Sequence, residues 1–211
     1  MARLCPTIPP RAAMTAGAQA ELDLLETLER GLSDAYTLFH SVDWSRGSGT
    51  GEQHGEIDVV VVNQRGDVLL IEVKSGELEL QPGGIFKTYG AHTKDVLGQV
   101  RLQYGALRTR LSDAGLDVHV SHLLVLPDCM VKSETAQWPR ERIVDSSEID
   151  DVVSRITQAL GPGVVDTALH SRVLAFFQNR FQVEPDVSAL AGRLQQSVTR
   201  MAAGLAVWVP R

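Results

Sequence analysis

The sequence predicts an α/β domain, with a mixed central sheet flanked by helices and a helical appendage at its C-terminal side. Three observations carry the prediction. Residues 16–32 and 93–111 repeat apolar side chains every three or four positions, the period of a helix buried on one face. Residues 57–63 and 68–74 are rich in β-branched side chains and flank a short Gln-Arg-Gly-Asp connection, the pattern of a hairpin. Past the Gly161-Pro162-Gly163 break the helical period resumes and runs to residue 204.

Taken in order, residues 1–15 contain three prolines and no apolar run of the length a signal peptide needs, and they read as a flexible tail. The first helix places Leu22, Leu25, Leu28 and Leu32 along one stripe. Residues 45–55 carry four glycines and no apolar side chain, which suits a mobile surface loop. After the hairpin a further strand is expected around residues 77–80 or 85–89, with Pro82-Gly83-Gly84 turning the chain between them. The second helix directs Val96, Leu97, Val100, Tyr104, Leu107 and Leu111 inward and stops before Gly115. Strands follow at residues 118–126 and 142–145. Ser147 and Asp150 then form a capping-box-like start for a helix reaching Leu160. In the last segment Leu169, Val173, Phe176, Phe177 and Phe181 form one apolar stripe. The resulting organisation is a tail at 1–15, a domain at 16–160 and an appendage at 164–211. The apolar ending GLAVWVPR suggests that the chain leads on into a longer polypeptide.

At 211 residues, 44% hydrophobic and 22% charged, the chain can bury one good-sized core. A net charge of -6 argues against binding nucleic acid by a general positive field, though a local basic groove remains compatible with it. The two cysteines, Cys5 and Cys129, form no C-x-x-C pair, which argues against a zinc cluster or disulfide framework and fits a reducing cytoplasm. No run approaches the roughly 20 apolar residues of a membrane span, so a soluble protein without a membrane partner is expected. No phosphate-binding G-x-x-x-x-G-K-[ST] loop occurs, and any motor must reside elsewhere.

The chemistry concentrates in the hairpin. Alternation places Val68, Leu70, Glu72 and Lys74 on one face, and Leu69, Ile71 and Val73 on the other. A loop of Gln64-Arg65-Gly66 with Gly66 left-handed pairs residue 63 with residue 67 and brings Asp58 opposite Glu72. Two carboxylates then converge beside one lysine, an arrangement that like-charge repulsion opposes unless a cation intervenes. Hard oxygen ligands of this kind suit Mg2+ or Mn2+, which keep waters and also bind phosphate oxygens. Such an ion can polarise a phosphodiester and activate water, while a lysine orients that water or neutralises the developing charge.

The stretch GEIDVVVVNQRGDVLLIEVKSG, residues 55–76, resembles the core of the nuclease-related domain, or NERD, family of PD-(D/E)XK phosphodiesterases, with Asp58 and Glu72-Val73-Lys74 as the motif. The resemblance extends from Gly17 and Glu21 to Gln99 and to the strand ending Leu124-Val125-Leu126-Pro127. It implies a restriction-endonuclease-like core. It makes Asp58 and Glu72 metal ligands and Lys74 the catalytic lysine, with Glu21 and Gln99 as supporting active-site residues. Glu26 competes with Glu21 for the helical role, because five residues turn a helix face by about 140° and only one can meet the site. Some related exonucleases carry a tyrosine four residues after the glutamine. Here that position is Gln103, with Tyr104 next to it, so internal or end cutting stays open.

The implied activity is Mg2+- or Mn2+-dependent hydrolysis of DNA, or of RNA, in processing, repair or defence. The alternative is an inactive nucleic-acid-binding module serving a fused or associated helicase-like ATPase; a weaker one is a protein-interaction domain. Nothing in the pattern specifies the oligomeric state. Lys87, Lys94, Arg101 and Gln103 are candidate nucleic-acid contacts, as is Arg108, although scattered surface cations and a solvated helix face would look the same. His54, just ahead of Asp58, either approaches substrate or is an ordinary exposed loop residue, and Glu56, on the face of Asp58, either supports or joins the ligands or caps the strand edge.

Overall fold

The computed structural model describes residues 1–5, 16–48, 51–81, 84–90, 92–135 and 138–178. The elements are β1 (Arg3–Cys5), α1 (Ala16–Gly31), β2 (Thr37–Ser48), β3 (Gly51–Val62), β4 (Val68–Val73), β5 (Glu79–Gln81), β6 (Gly84–Tyr89), β7 (His92–Asp95), α2 (Val96–Asp113), β8 (Val120–Leu126), β9 (Ile143–Asp145), α3 (Val152–Ala159) and α4 (Thr167–Phe177). Among the described residues, six strands form one sheet in the order β1-β2-β3-β4-β8-β9, and β5-β6-β7 form a second. The large sheet is mixed. β2-β3-β4 is an antiparallel meander, whereas β4-β8-β9 run parallel, with α2 supplying the crossover from β4 to β8. The small sheet is built from the chain between β4 and α2.

Period-two alternation sends side chains to both faces of the sheet, and both are covered. On one face Val59, Val61, Leu69, Ile71 and Val73 pack with Leu25 and Leu28 of α1 and Ile156 of α3. On the other, Val60, Val62, Val68 and Leu70 pack with Leu107 and Leu111 of α2 and with Val173 and Phe177 of α4. This is the restriction-endonuclease-like core, and every β4 residue in it is buried. No helix among the described residues is long and apolar enough to cross a membrane.

Several expectations need correction. Residues 45–48 and 51–55 are not a loop; β2 and β3 continue as one long hairpin, paired from Thr37↔Val62 to Ser48↔Gly51. In the tail, residues 3–5 pair in parallel with β2, and residues 6–15 lie outside the described residues. Residues 92–95 form a strand, and α2 starts at Val96, with the Asp95 side chain accepting from the Gly98 N–H at 2.9 Å. Ser147 caps no helix. Its hydroxyl donates to Asp145 at 2.6 Å, and a tight turn at Ile149–Asp151 precedes α3. Residues 167–177 of the expected appendage pack on the sheet as α4, while Phe181 and the rest of that segment, like Pro82 and Gly83, lie outside the described residues.

Candidate active site

The site forms where β3 and β4 part. Gly66 holds φ of +99°, its N–H donates to the Asn63 carbonyl, and the ladder runs Val62↔Val68 to Val59↔Ile71, the register that sets Asp58 beside Glu72. Beyond Val59 the strands separate. β3 keeps its pairing with β2 (Ile57↔Val42, Glu56↔Asp43), while β4 stays with β8 (Glu72↔Leu124, Val73↔Val125). The Val73 N–H loses its cross-strand carbonyl and donates instead to Asp58 Oδ2 at 2.7 Å. Asp58 thus closes the end of the ladder and is held by it. Opposite, Ser41 of β2 adopts φ of +52°, a conformation uncommon for a residue with a Cβ.

Glu72 is only 1% exposed, and both of its oxygens are occupied. Oε1 accepts from Lys74 Nζ and from Gln99 Nε2 at 2.6 Å, and Oε2 accepts from Gln103 Nε2 at 2.8 Å. Gln103 Nε2 also donates to the Glu56 carbonyl at 2.8 Å, tying α2 to β3. Gln99 and Gln103 are one turn apart, so both reach the same carboxylate from one helix face.

The Lys74 ammonium lies among three oxygens: Glu72 Oε1, the Val73 carbonyl at 3.2 Å and Asp58 Oδ2 at 3.8 Å. Burial alone would lower its pKa, but the Glu72 and Asp58 charges outweigh burial and hold it above the ordinary lysine range. Asp58 shifts the other way for a carboxylate. Burial first, and the Glu72 charge second, push it up to about 7 despite Lys74 and the Val73 N–H. Burial likewise raises Glu21 on α1, with Lys74 opposing and the Glu56 and Glu72 charges adding. Glu21 therefore belongs to this electrostatic cluster, whereas Glu26 pairs with Arg30 on its own helix at 3.5 Å.

The donor set fits a hard divalent cation. Two carboxylates and a main-chain carbonyl already surround one cationic group, and Asp58 ionises reluctantly in the absence of further positive charge. Among the described residues no three His, Cys, Asp or Glu side chains make a metal cluster. Asp58 and Glu72 are the side chains that would hold Mg2+ or Mn2+, Glu72 by exchanging a donor on one of its occupied oxygens, with water completing the shell.

Of the expected nucleic-acid contacts, Lys87 and Lys94 face each other across β6 and β7, their Nζ atoms 5.1 and 5.5 Å from the Tyr89 ring centroid. Arg101 is drawn to Asp95 at 3.9 Å, and Arg108 lies over the Tyr104 ring at 5.5 Å. Gln103 corrects the expectation of an outward contact, for it is 2% exposed and committed to Glu72, while Tyr104, expected inward, is half-buried. The spacing of four from Gln99 was the signal that could have revealed it. The sequence reading also missed Trp44, whose indole lies so close to Gly55 that a Cβ there would come within 2.6 Å of it.

The cluster and its scaffold lie within a recognised family. A model of the nuclease-related domain matches residues 16–127, more than half of the chain, from the start of α1 to the residue after β8. No curated protein and no solved structure matches. Because that match spans the helix carrying Glu21, the hairpin carrying Asp58, Glu72 and Lys74, and the helix carrying Gln99, the chain belongs to the nuclease-related domain (NERD) family.

Proposed function

We propose that the chain is a Mg2+- or Mn2+-dependent nuclease that hydrolyses phosphodiester bonds of DNA, acting in processing, repair or defence. The observation that carries this reading is the meeting of Asp58, Glu72 and Lys74 where β3 and β4 separate, with Asp58 still poorly compensated. A bound ion would polarise the scissile phosphate and lower the pKa of an attacking water. The protein's part is positional. Gln99 and Gln103 fix both oxygens of Glu72, and the Val73 N–H fixes Asp58, so the two ligands are preorganised. Lys74, a compact movable charge, orients water or stabilises the charge gathering on the phosphate oxygens. Glu21 tunes the field from α1. Lys87 and Lys94, cross-strand partners on β6 and β7, would hold flanking phosphates, contacts that set position without reading sequence.

The test is cleavage of circular and linear DNA by the purified protein in Mg2+, Mn2+ or EDTA, beside Lys74→Ala and Asp58→Ala. Cutting that needs metal and drops by roughly a hundredfold or more in each variant supports the proposal, and the two substrates separate nicking from end digestion. Binding without cutting by the wild type would instead favour a module that guides nucleic acid to an ATPase.

A further inference from the structure

We infer that the cleft beside Asp58 receives an unpaired nucleobase, so that the substrate is single-stranded, or locally unpaired, at the position of cleavage. The inference rests on the nuclease reading and names its substrate class.

The cleft, about 690 Å³, lies between the long hairpin and the first turns of α2, and Asp58 is part of its wall. Its lining is divided in character. Trp44 and Leu102 supply apolar surface, and Leu102, 42% exposed, is one of the few large apolar side chains among the described residues left open to solvent. The indole N–H of Trp44 finds no acceptor among the described residues. Glu56, Asp58 and Asp95 supply carboxylates. Away from Lys94 at its edge, such a lining repels a phosphate unless a cation joins Asp58, while it suits a flat, uncharged group. A nucleobase offers an apolar face to Leu102 and exocyclic amino hydrogens to the carboxylates.

The backbone has a separate place. Lys87 and Lys94 are direct cross-strand partners, a like-charge pairing eased by the Ser75 carbonyl, which accepts from Lys87 Nζ, and by the Tyr89 ring beside them. Tyr89, 46% exposed, lies within cation–π distance of both. An exposed aromatic ring beside two cations is an arrangement that holds single strands, one base stacked and the neighbouring phosphates neutralised. Lys94 also lines the cleft, so the two surfaces are continuous. A base in continuous duplex is paired and stacked and reaches neither surface without being extruded.

The test measures binding of short single-stranded and duplex DNA of one sequence by fluorescence anisotropy, with Ca2+ as the oxygen-seeking cation, on wild type, Tyr89→Ala and Leu102→Ser. Both substituted side chains are exposed, and neither change disturbs the core. The expected result is roughly tenfold tighter binding of the single strand by wild type, with that preference lost in each variant while duplex binding holds. A wild type that binds duplex as tightly as single strand, or variants that weaken both forms equally, would overturn the inference and leave the nuclease reading standing. Binding of neither form would sink both.

Discussion

Two buried carboxylate sites lie at the C-terminal ends of the parallel strands, one beside β4 and the other on β9 across β8, and they are finished in opposite ways. Asp145, at the end of β9, is wholly buried yet surrounded by donors: the Val131 N–H at 2.8 Å, the Ser147 N–H at 3.0 Å, the Ser147 hydroxyl at 2.6 Å and Arg140 at 3.1 Å. Burial alone would raise its pKa, and the Ser147 and Val131 hydrogen bonds with the Arg140 charge outweigh it, so the carboxyl lies below its ordinary range. Asp58 has one backbone donor and a lysine shared with a second carboxylate, and it lies well above its ordinary range. A structural carboxylate is completed by the protein itself. One that remains uncompensated, beside a cleft and a second carboxylate, has the form of a site that awaits a cation.

The largest expected consequence is at Asp145. Asp145→Ala leaves three hydrogen-bond donors without their acceptor and Arg140 with only Glu148 and the Ile143 carbonyl to hold it, and a loss of about 3–5 kcal/mol in urea unfolding is expected. A loss below about 1 kcal/mol would show that the two sites are not so different. A smaller loss belongs to Gln103→Leu, which keeps the volume but strips Glu72 Oε2 of its donor. Destabilisation of about 1–3 kcal/mol by the same measurement checks it, and a neutral result would mean that Gln103 is dispensable to the buried carboxylate.

Asp58→Asn should go the other way. In the folded protein Asp58 protonates near pH 7, whereas in the unfolded chain it does so near pH 4. Its ionisation therefore works against folding increasingly from about pH 4 to about pH 7, and fully above that. The amide retains an oxygen for the Val73 N–H and cannot ionise, so in EDTA the variant gains stability, on the order of 1–3 kcal/mol at pH 8 and nothing at pH 4. Mg2+ or Mn2+ should raise the Tm of wild type and leave that of Asp58→Asn unchanged. A variant less stable than wild type at pH 8 without metal would erase the contrast with Asp145.

The hairpin was legible because its information is local. Gly66 supplies the turn, the β-branched runs supply the strands, and the parity of Asp58 and Glu72 follows from the register. The long extension of β2 and β3 was hidden, since residues 45–55 carry no apolar alternation, and backbone pairing is indifferent to it. The strand at His92–Asp95 was hidden for the same reason, with all four residues exposed. Gln103 misled because a polar residue on a helix signals solvent unless a distant partner is known, and its partner lies 31 residues earlier in the chain.

The sequence by itself determined the α/β order, the apolar faces and the register that sets two carboxylates and a lysine together, because turn chemistry and period-two alternation act over a few residues. Tertiary structure alone decided that β3 and β4 part at Asp58, that α2 turns two glutamines onto Glu72, and that Trp44 and Leu102 line a cleft there. Those features arise where β3 follows β2 and β4 follows β8, and a choice between competing neighbours is made by the whole sheet.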